Sequence, residues 1–223
     1  MDSHATEIVA SAAALALVNP LPVMAVIALL FSPRGGTTAP AFLIGWVAGL
    51  VGMFGLLTFV VSAERLAGDD ASPSTFASVA RVALGLLLLG LALRKWQGRG
   101  KGGLPGWMTR LEQAGPAAAF GLGALLAALN PKNLAFTVSS AFDLAAAGLP
   151  AGRAWGLIAL FAVVGSLGVG VPVVWHAVAG ESARRTLAKW RSWLTTNYGA
   201  VMAVVFVVFG VVLVSKGISG LTK

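Results

Sequence analysis

The stretch that decides the fold is Leu129-Asn130-Pro131-Lys132-Asn133-Leu134, which lies inside an apolar run over residues 117–142. A proline inside a helix lacks an N–H group and clashes with the carbonyl four residues earlier, so the Asn-Pro pair predicts a break in this helix. A lysine in the middle of a bilayer costs at least about 2.5–3.5 kcal/mol, and it therefore indicates a functional position with a partner. The stretch predicts a broken membrane helix with a site at the break.

Five further apolar runs have the length of about 20 residues that a bilayer crossing requires. With the first one, the runs are residues 8–31, 39–62, 76–94, 117–142, 154–178 and 199–215. Apolar residues make up 57% of the chain and charged residues 11%. Soluble domains have roughly 45–50% and about 25%. The sequence therefore predicts an all-α membrane protein with six transmembrane helices.

A second Asn-Pro pair relates the two halves of the chain. Ala16-Leu17-Val18-Asn19-Pro20 matches Ala127-Ala128-Leu129-Asn130-Pro131, and the same offset of 111 residues relates Gly45 to Gly156. Because each copy holds three segments, an odd number, the second copy is expected to be inverted, as in many transporters. We expect two inverted three-helix repeats with helices one and four broken: a first repeat over 1–96, a basic cytoplasmic linker over 97–116 and a second repeat over 117–223.

The two breaks are expected to form a binding site for an anion. Pro20 should free the carbonyl of Ala16, and Pro131 that of Ala127; such a group survives in hydrocarbon only beside protein or water. Each break also creates a half-helix N-terminus with open N–H donors and a partial positive charge. Ordinary proline kinks and a snorkelling lysine are the alternatives. The predicted substrate-binding residues are Asn19, Pro20, Pro22, Asn130, Pro131, Lys132 and Asn133.

The net charge of +8 is interpreted as a topology signal. Lys and Arg concentrate in cytoplasmic loops of membrane proteins. With loops placed alternately on two sides, the larger basic set is Arg34, Arg94, Lys95, Arg99, Lys101, Arg110, Arg184, Arg185, Lys189 and Arg191. The smaller set is Arg65, Arg81, Arg153, Lys216 and Lys223. This asymmetry predicts a multi-pass plasma (inner) membrane protein with both termini extracytoplasmic. Because topology accounts for the basic excess, we expect no nucleic-acid partner.

Three weaker patterns accompany these signals. The glycines of segment two are expected to allow close helix packing. Thr137, Ser139 and Ser140 either line a path or bond to their own helix. Residues 181–194 place Leu187 and Trp190 on one helical face with arginines largely elsewhere. Basic amphipathic helices of this kind lie in the headgroup region and favour anionic lipid.

The sequence offers little for catalysis or metal binding. The chain has no cysteine, and His4 and His176 are its two histidines. It has no phosphate-binding glycine loop followed by a lysine, so an ATPase of that type is excluded. We therefore expect a protein that is not an enzyme, with neither a cofactor nor a metal site.

The residues resemble those of a known family nearly from end to end. The Asn-Pro pair occurs across a wide superfamily, whereas Asn-Pro-Lys-Asn-Leu together with Ser-Pro-Arg is more specific. The matching stretches include residues 17–22, 31–35, 42–46, 49–50, 94–96, 129–134 and 216–217. The chain is similar to the GAP/Sap family, the peptidoglycolipid and sulfolipid-1-addressing proteins of mycobacteria and relatives, within the LysE superfamily of exporters. The resemblance implies outward movement of a cell-envelope glycolipid or lipid precursor.

We therefore expect a transporter that binds an anionic headgroup at the paired breaks and releases it outward as the two copies rock. Its partners would be the lipid bilayer and the anionic lipid or glycolipid, with a homo-oligomer or an envelope-biosynthesis partner left open. The alternatives are a small-solute exporter for amino acids or ions, and a non-transporting accessory subunit for envelope lipid assembly. An intramembrane enzyme that uses Lys132 and Asp143 as acid and base ranks below both.

Overall fold

The computed structural model describes residues 3–17, 20–66, 75–98, 111 and 113–221. The helices delimited within them are α1 Ser3–Leu17, α2 Pro20–Leu30, α3 Gly35–Leu66, α4 Thr75–Gln97, α5 Pro116–Leu129, α6 Pro131–Ala146, α7 Ala151–Gly165 and α8 Leu167–Leu221. None of the described residues forms a strand. The predicted all-α class is confirmed.

The helices follow the predicted apolar runs. α1 with α2 fills the first run, α5 with α6 the fourth, and α7 with the start of α8 the fifth. By length and composition, the described helices offer two membrane crossings, Gly35–Ser62 and Leu167–Ser219, or three if the bent pair α1 and α2 is one span. Because α5 and α7 end at a break and α6 begins at one, each is shorter than a full crossing. The six crossings stay a prediction.

α8 consists of two helices joined at Gly180. Gly180 has φ 50° and ψ −120°, a conformation that glycine adopts readily because it has no Cβ. The ring centroids of Trp175 and Trp190 are 6.0 Å apart, whereas 15 residues of straight helix span about 22 Å. Residues 181–191 therefore fold back along the preceding part of α8.

The chain divides into two compact units: Met1–Gly68 with Pro105–Arg191, and Asp69–Leu104 with Ser192–Lys223. The first unit contains the first two predicted segments of each repeat. The second unit contains the third segment of each repeat. The units therefore group equivalent segments rather than separate one repeat from the other, and the predicted boundaries at 96 and 117 stay a prediction.

α3 is the central helix of the first unit, where it contacts α2, α5, α6 and α7. Its aromatic side chains Phe42, Trp46 and Phe54 are fully buried. Phe54 meets Phe161 of α7 edge to face, with ring centroids 4.8 Å apart. Aromatic pairs of this geometry contribute about 0.5–1.5 kcal/mol beyond the area that they bury.

Glycines bring the backbones of α3 and α5 into direct contact. A Cβ placed on Gly45 would collide with the carbonyl oxygen of Phe120, and one on Gly123 with that of Phe42. One turn along α3, Gly49 lies in the same way against Ala124. From the Gly45–Phe120 contact to the contacts of Gly49 with Ala124 and Ala127, residue numbers rise on both helices, so the two helices run parallel. The predicted packing role of Gly45 and Gly49 is confirmed, and it is a common role of small residues between membrane helices.

α7 and the start of α8 run antiparallel to α3. Gly55 lies against the ring of Trp155, and Gly165 against Leu50. Leu43 then meets Gly170. The residue numbers fall on α3 as they rise on α7 and α8. The start of α3 and the end of this part of α8 therefore lie at the same end of the first unit.

The second unit pairs α4 with the last part of α8. A Cβ on Gly85 would lie 2.8 Å from the carbonyl oxygen of Gly210, so these backbones also touch. At the other end of the pair, the Lys95 ammonium lies 5.3 Å from the centroid of the Tyr198 ring. The two helices are antiparallel.

The outward faces of the helices are strongly apolar. Exposed large side chains include Ile44, Leu56, Phe59, Leu86, Leu87, Leu93, Leu125, Leu129, Leu160, Val163, Val174 and Val178. Soluble monomers rarely expose contiguous apolar surface of this extent. Together with the buried contacts of α3, this surface marks a membrane protein.

The glycine contacts generate the first prediction. Gly45→Ala should lower the free energy of unfolding by about 1–3 kcal/mol, because the added methyl group must push α5 away from α3. Gly52→Ala is the matched control: it lies two turns along the same helix with nothing within 4 Å of its Cβ position. Thermal unfolding in detergent, followed by circular dichroism, measures both. Equal melting temperatures for the two variants would contradict the packing assignment.

Candidate functional site

Both predicted helix breaks are present. α1 ends at Leu17 and α2 begins at Pro20, and the two helices are bent by 56°. α5 ends at Leu129, Asn130 is extended with φ −65° and ψ 121°, and α6 begins at Pro131. Prolines favour the first turn of a helix, where the missing N–H has no partner to lose. The broken helices one and four that the Asn-Pro pairs predicted are confirmed.

At the second break, a side chain replaces the missing backbone donor. Pro131 has no N–H, so the carbonyl of Ala127 cannot receive its usual helical hydrogen bond. Asn133 is fully buried, and its Nδ2 donates to the carbonyl oxygens of Ala127 at 3.0 Å and of Leu126 at 3.3 Å. The carbonyl of Asn130 accepts from the N–H of Leu134 at 2.9 Å and starts α6. Asn133 thus stabilises the end of α5.

At the first break, a neighbouring helix covers the freed carbonyl. Pro20 removes the usual donor to the carbonyl of Ala16. Gly168 of α8 comes so near that a Cβ there would lie 2.5 Å from the Ala16 oxygen. Close approach of a glycine Cα to a carbonyl allows a weak Cα–H···O interaction. Gly168 thus covers the Ala16 carbonyl, whereas Asn133 donates a hydrogen bond to the Ala127 carbonyl.

A buried polar stripe continues from the second break along α6. Asn133, Thr137 and Ser140 are each at most 1% exposed, and their spacing puts them on one helical face. The Thr137 hydroxyl donates to the Asn133 carbonyl at 2.7 Å. Thr137 therefore bonds to its own helix, which is one of the two roles predicted for it. The Ser140 hydroxyl is buried and has no hydrogen-bond partner among the described residues. Ser139 is exposed.

The fold brings the two breaks into one unit. α6 contacts α1, α3 and α5, so the downstream half of the second broken segment packs on the upstream half of the first. A buried polar group in such a place is costly without a partner, by about 1–3 kcal/mol in protein measurements. The Ser140 hydroxyl, which has no partner among the described residues, is thus a costly polar group on this buried face of α6.

The predicted site residues are described to different extents. Pro22 and Asn133 are buried, and Asn130 is half-buried. Pro20 and Pro131 begin their helices, and Lys132 is the second residue of α6. The side chains of these last three lie outside the described part of the structure, as does all of Asn19.

Two polar positions were not anticipated from the sequence. The indole Nε1 of Trp46 is buried without a hydrogen-bond partner. Segment five, predicted as continuous, is interrupted between α7 and α8 at Ser166, whose hydroxyl donates to the carbonyl of Ala162. Small residues surround this interruption in Gly165-Ser166-Leu167-Gly168. That stretch is the available sequence signal, because Ser and Gly weaken a helix without stopping it.

A comparison with protein families places these features in a known group. A family model described as "Sap, sulfolipid-1-addressing protein" matches residues 9–219. The matched region includes both breaks, α3, and nearly all of α8. No curated protein and no solved structure matches the chain.

The bonds at the second break generate the second prediction. Asn133→Ala should lower the free energy of unfolding by about 1–3 kcal/mol, because it leaves the carbonyl of Ala127 without a donor in an apolar place. Ser139→Ala, an exposed change on the same helix, should have little effect. Circular dichroism melts in detergent provide the measurement.

A double-mutant cycle tests the cause. Pro131→Ala restores an N–H that can reach the carbonyl of Ala127, so Asn133→Ala should cost less in that background than in the wild type. If Asn133→Ala costs the same in both backgrounds, Asn133 does not act as the replacement for the missing donor.

Proposed function

This chain belongs to the Sap family, and on that premise we propose that it moves an anionic envelope lipid or glycolipid precursor across the plasma membrane. The family match covers nearly the whole chain. The family name connects its members with the addressing of a sulfolipid, which has a charged headgroup and apolar chains. A carrier for such a molecule needs a polar place within the membrane and an apolar exterior.

The observation that carries the proposal is the pairing of two Asn-Pro breaks within one compact unit. Irregular backbone at membrane depth is tolerated where it is buried in protein or lines a cavity. In transporters with inverted repeats, substrate sites lie at such discontinuous helices near the bilayer midplane. The buried stripe from Asn133 to Ser140 adds polar groups next to the second break.

The helix directions support an inverted repeat. α3 and α7, which the repeat relates, run antiparallel within the first unit. α4 and the last part of α8, the third pair, run antiparallel within the second. In addition, α3 contacts α5 while α1 contacts α7. Each copy's second helix therefore packs on the first half of the other copy's broken helix, as a two-fold relation requires.

We assign distinct tasks to the residues at the breaks. Lys132, in the first turn of α6, would neutralise the headgroup, because a half-helix N-terminus and an ammonium both favour an anion. Asn19, Asn130 and the freed backbone groups would orient it. Asn133 already donates to two carbonyls of α5, so we assign it to holding the break open, and Pro20, Pro22 and Pro131 to creating the breaks.

A non-transporting accessory role is the second candidate, and one observation favours it. Asn133, Thr137 and Ser140 are almost completely buried, as a permanently packed centre would be. In the carrier, the same burial belongs to the closed conformation, and the unpartnered Ser140 hydroxyl gains a partner when the unit opens. Binding of a specific lipid that depends on Lys132 separates the two roles.

The third prediction concerns that lipid. Native mass spectrometry of gently solubilised protein should show one anionic lipid class retained by the wild type and lost from Lys132→Ala, because the variant lacks the cation that pairs with the headgroup. Arg153→Ala removes an exposed charge on α7 and should retain the lipid. The same non-selective phospholipid in all three proteins would contradict the carrier and favour the accessory role.

A further inference from the structure

The folded-back segment 181–191 presents a basic face at one end of the first unit. Ala183 and Leu187, one turn apart, are fully buried. Arg184, Arg185 and Lys189 are exposed on the same segment. The fold-back at Gly180 thus separates the segment into an inner apolar face and an outer cationic face.

A cation–π contact connects this segment to the loop between α2 and α3. The Arg191 guanidinium carbon lies 5.5 Å from the centroid of the Phe31 ring. Arg34 of the same loop is exposed. Its carbonyl accepts hydrogen bonds from the hydroxyls of Thr37 and Thr38, both at 3.0 Å. These bonds hold the loop against the start of α3.

We define the basic surface as Arg34, Arg184, Arg185, Lys189 and Arg191. Glu181 is an exposed carboxylate on the same segment, so cations predominate. Trp190 is 44% exposed beside them, and Val178, just before the turn, is 83% exposed. The basic surface therefore lies at the boundary between apolar exposed side chains and the charged side chains at this end of the first unit.

This combination matches the boundary between acyl chains and headgroups. Tryptophan is enriched at that level of the membrane, and a basic residue near an anionic surface contributes about 1 kcal/mol of attraction. Leu187 lies on the predicted apolar face of this helix but is fully buried. Trp190 therefore supplies the apolar contact, and the basic side chains supply the charge.

We propose that the basic surface is a binding site for the headgroups of anionic phospholipids in one leaflet, held there as resident lipid. The site is separate from the Asn-Pro breaks and does not depend on transport. Several cations around one turn and one loop can engage more than one phosphate at a time. The bound lipids fix the depth of this end of the unit in the membrane.

Native mass spectrometry with added phosphatidylglycerol or phosphatidylcholine in detergent tests the site. The wild type should bind phosphatidylglycerol at least about tenfold more tightly than phosphatidylcholine. The variant Arg184→Gln/Arg185→Gln/Lys189→Gln should lose most of this preference, and Arg184→Gln alone should lose part of it. Melting in phosphatidylcholine micelles checks that each variant is folded.

Arg153→Gln is the matched control. Trp155, two residues after Arg153, lies against Gly55 of α3. Gly55 is 20 residues beyond the first residue of α3, so this part of the unit is about 30 Å from the loop that holds Arg34. Arg153→Gln should keep the wild-type preference for phosphatidylglycerol. A triple variant that binds phosphatidylglycerol like the wild type, or a loss as large in Arg153→Gln, would overturn the proposal.

Discussion

The carbonyl of Ala127 imposes the constraint on which the rest of the structure depends. In hydrocarbon no water can satisfy a free backbone group, so a proline in a membrane helix needs a replacement donor. Asn133 supplies it with its Nδ2 group, and α5 and α6 meet at a stable break rather than a frayed one. The carbonyl of Ala16 is covered by the close approach of Gly168. The bond from Asn133 is local to its own broken segment, whereas the Gly168 contact needs α8 close to α1, so the first break and its packing must form together.

Glycine packing provides that closeness, and it is unequal in the two copies. Gly45 touches the backbone of α5, whereas Gly156, its counterpart in the repeat, has nothing within 4 Å of its Cβ position. The repeat therefore preserves the breaks and the helix directions more than the detailed contacts. The proposed carrier would account for this asymmetry, because two copies that alternate between conformations would lie in different environments in each conformation.

The breaks were predictable because proline acts locally: its missing N–H depends on no distant residue, and Asn-Pro occurs twice. The role of Asn133 was not predictable, since its amide could serve a substrate or a carbonyl and only the distance to Ala127 distinguishes them. The interruption at Ser166 and the fold-back at Gly180 were missed because serine and glycine are common in continuous membrane helices. The number of crossings remains a prediction, because only two or three of the described spans have full crossing length. The role of Lys132 remains a prediction because its side chain lies outside the described part of the structure.

The most direct test is reconstitution of purified protein into vesicles that contain fluorescent NBD-phosphatidylglycerol. Loss of fluorescence on adding the impermeant reductant dithionite counts the label in the outer leaflet, with and without an imposed pH gradient. If the chain is itself a carrier, wild-type vesicles should exchange label between leaflets faster than protein-free vesicles, and Lys132→Ala vesicles should not. Exchange no faster than in protein-free vesicles under both conditions would contradict the claim that this protein moves anionic lipid.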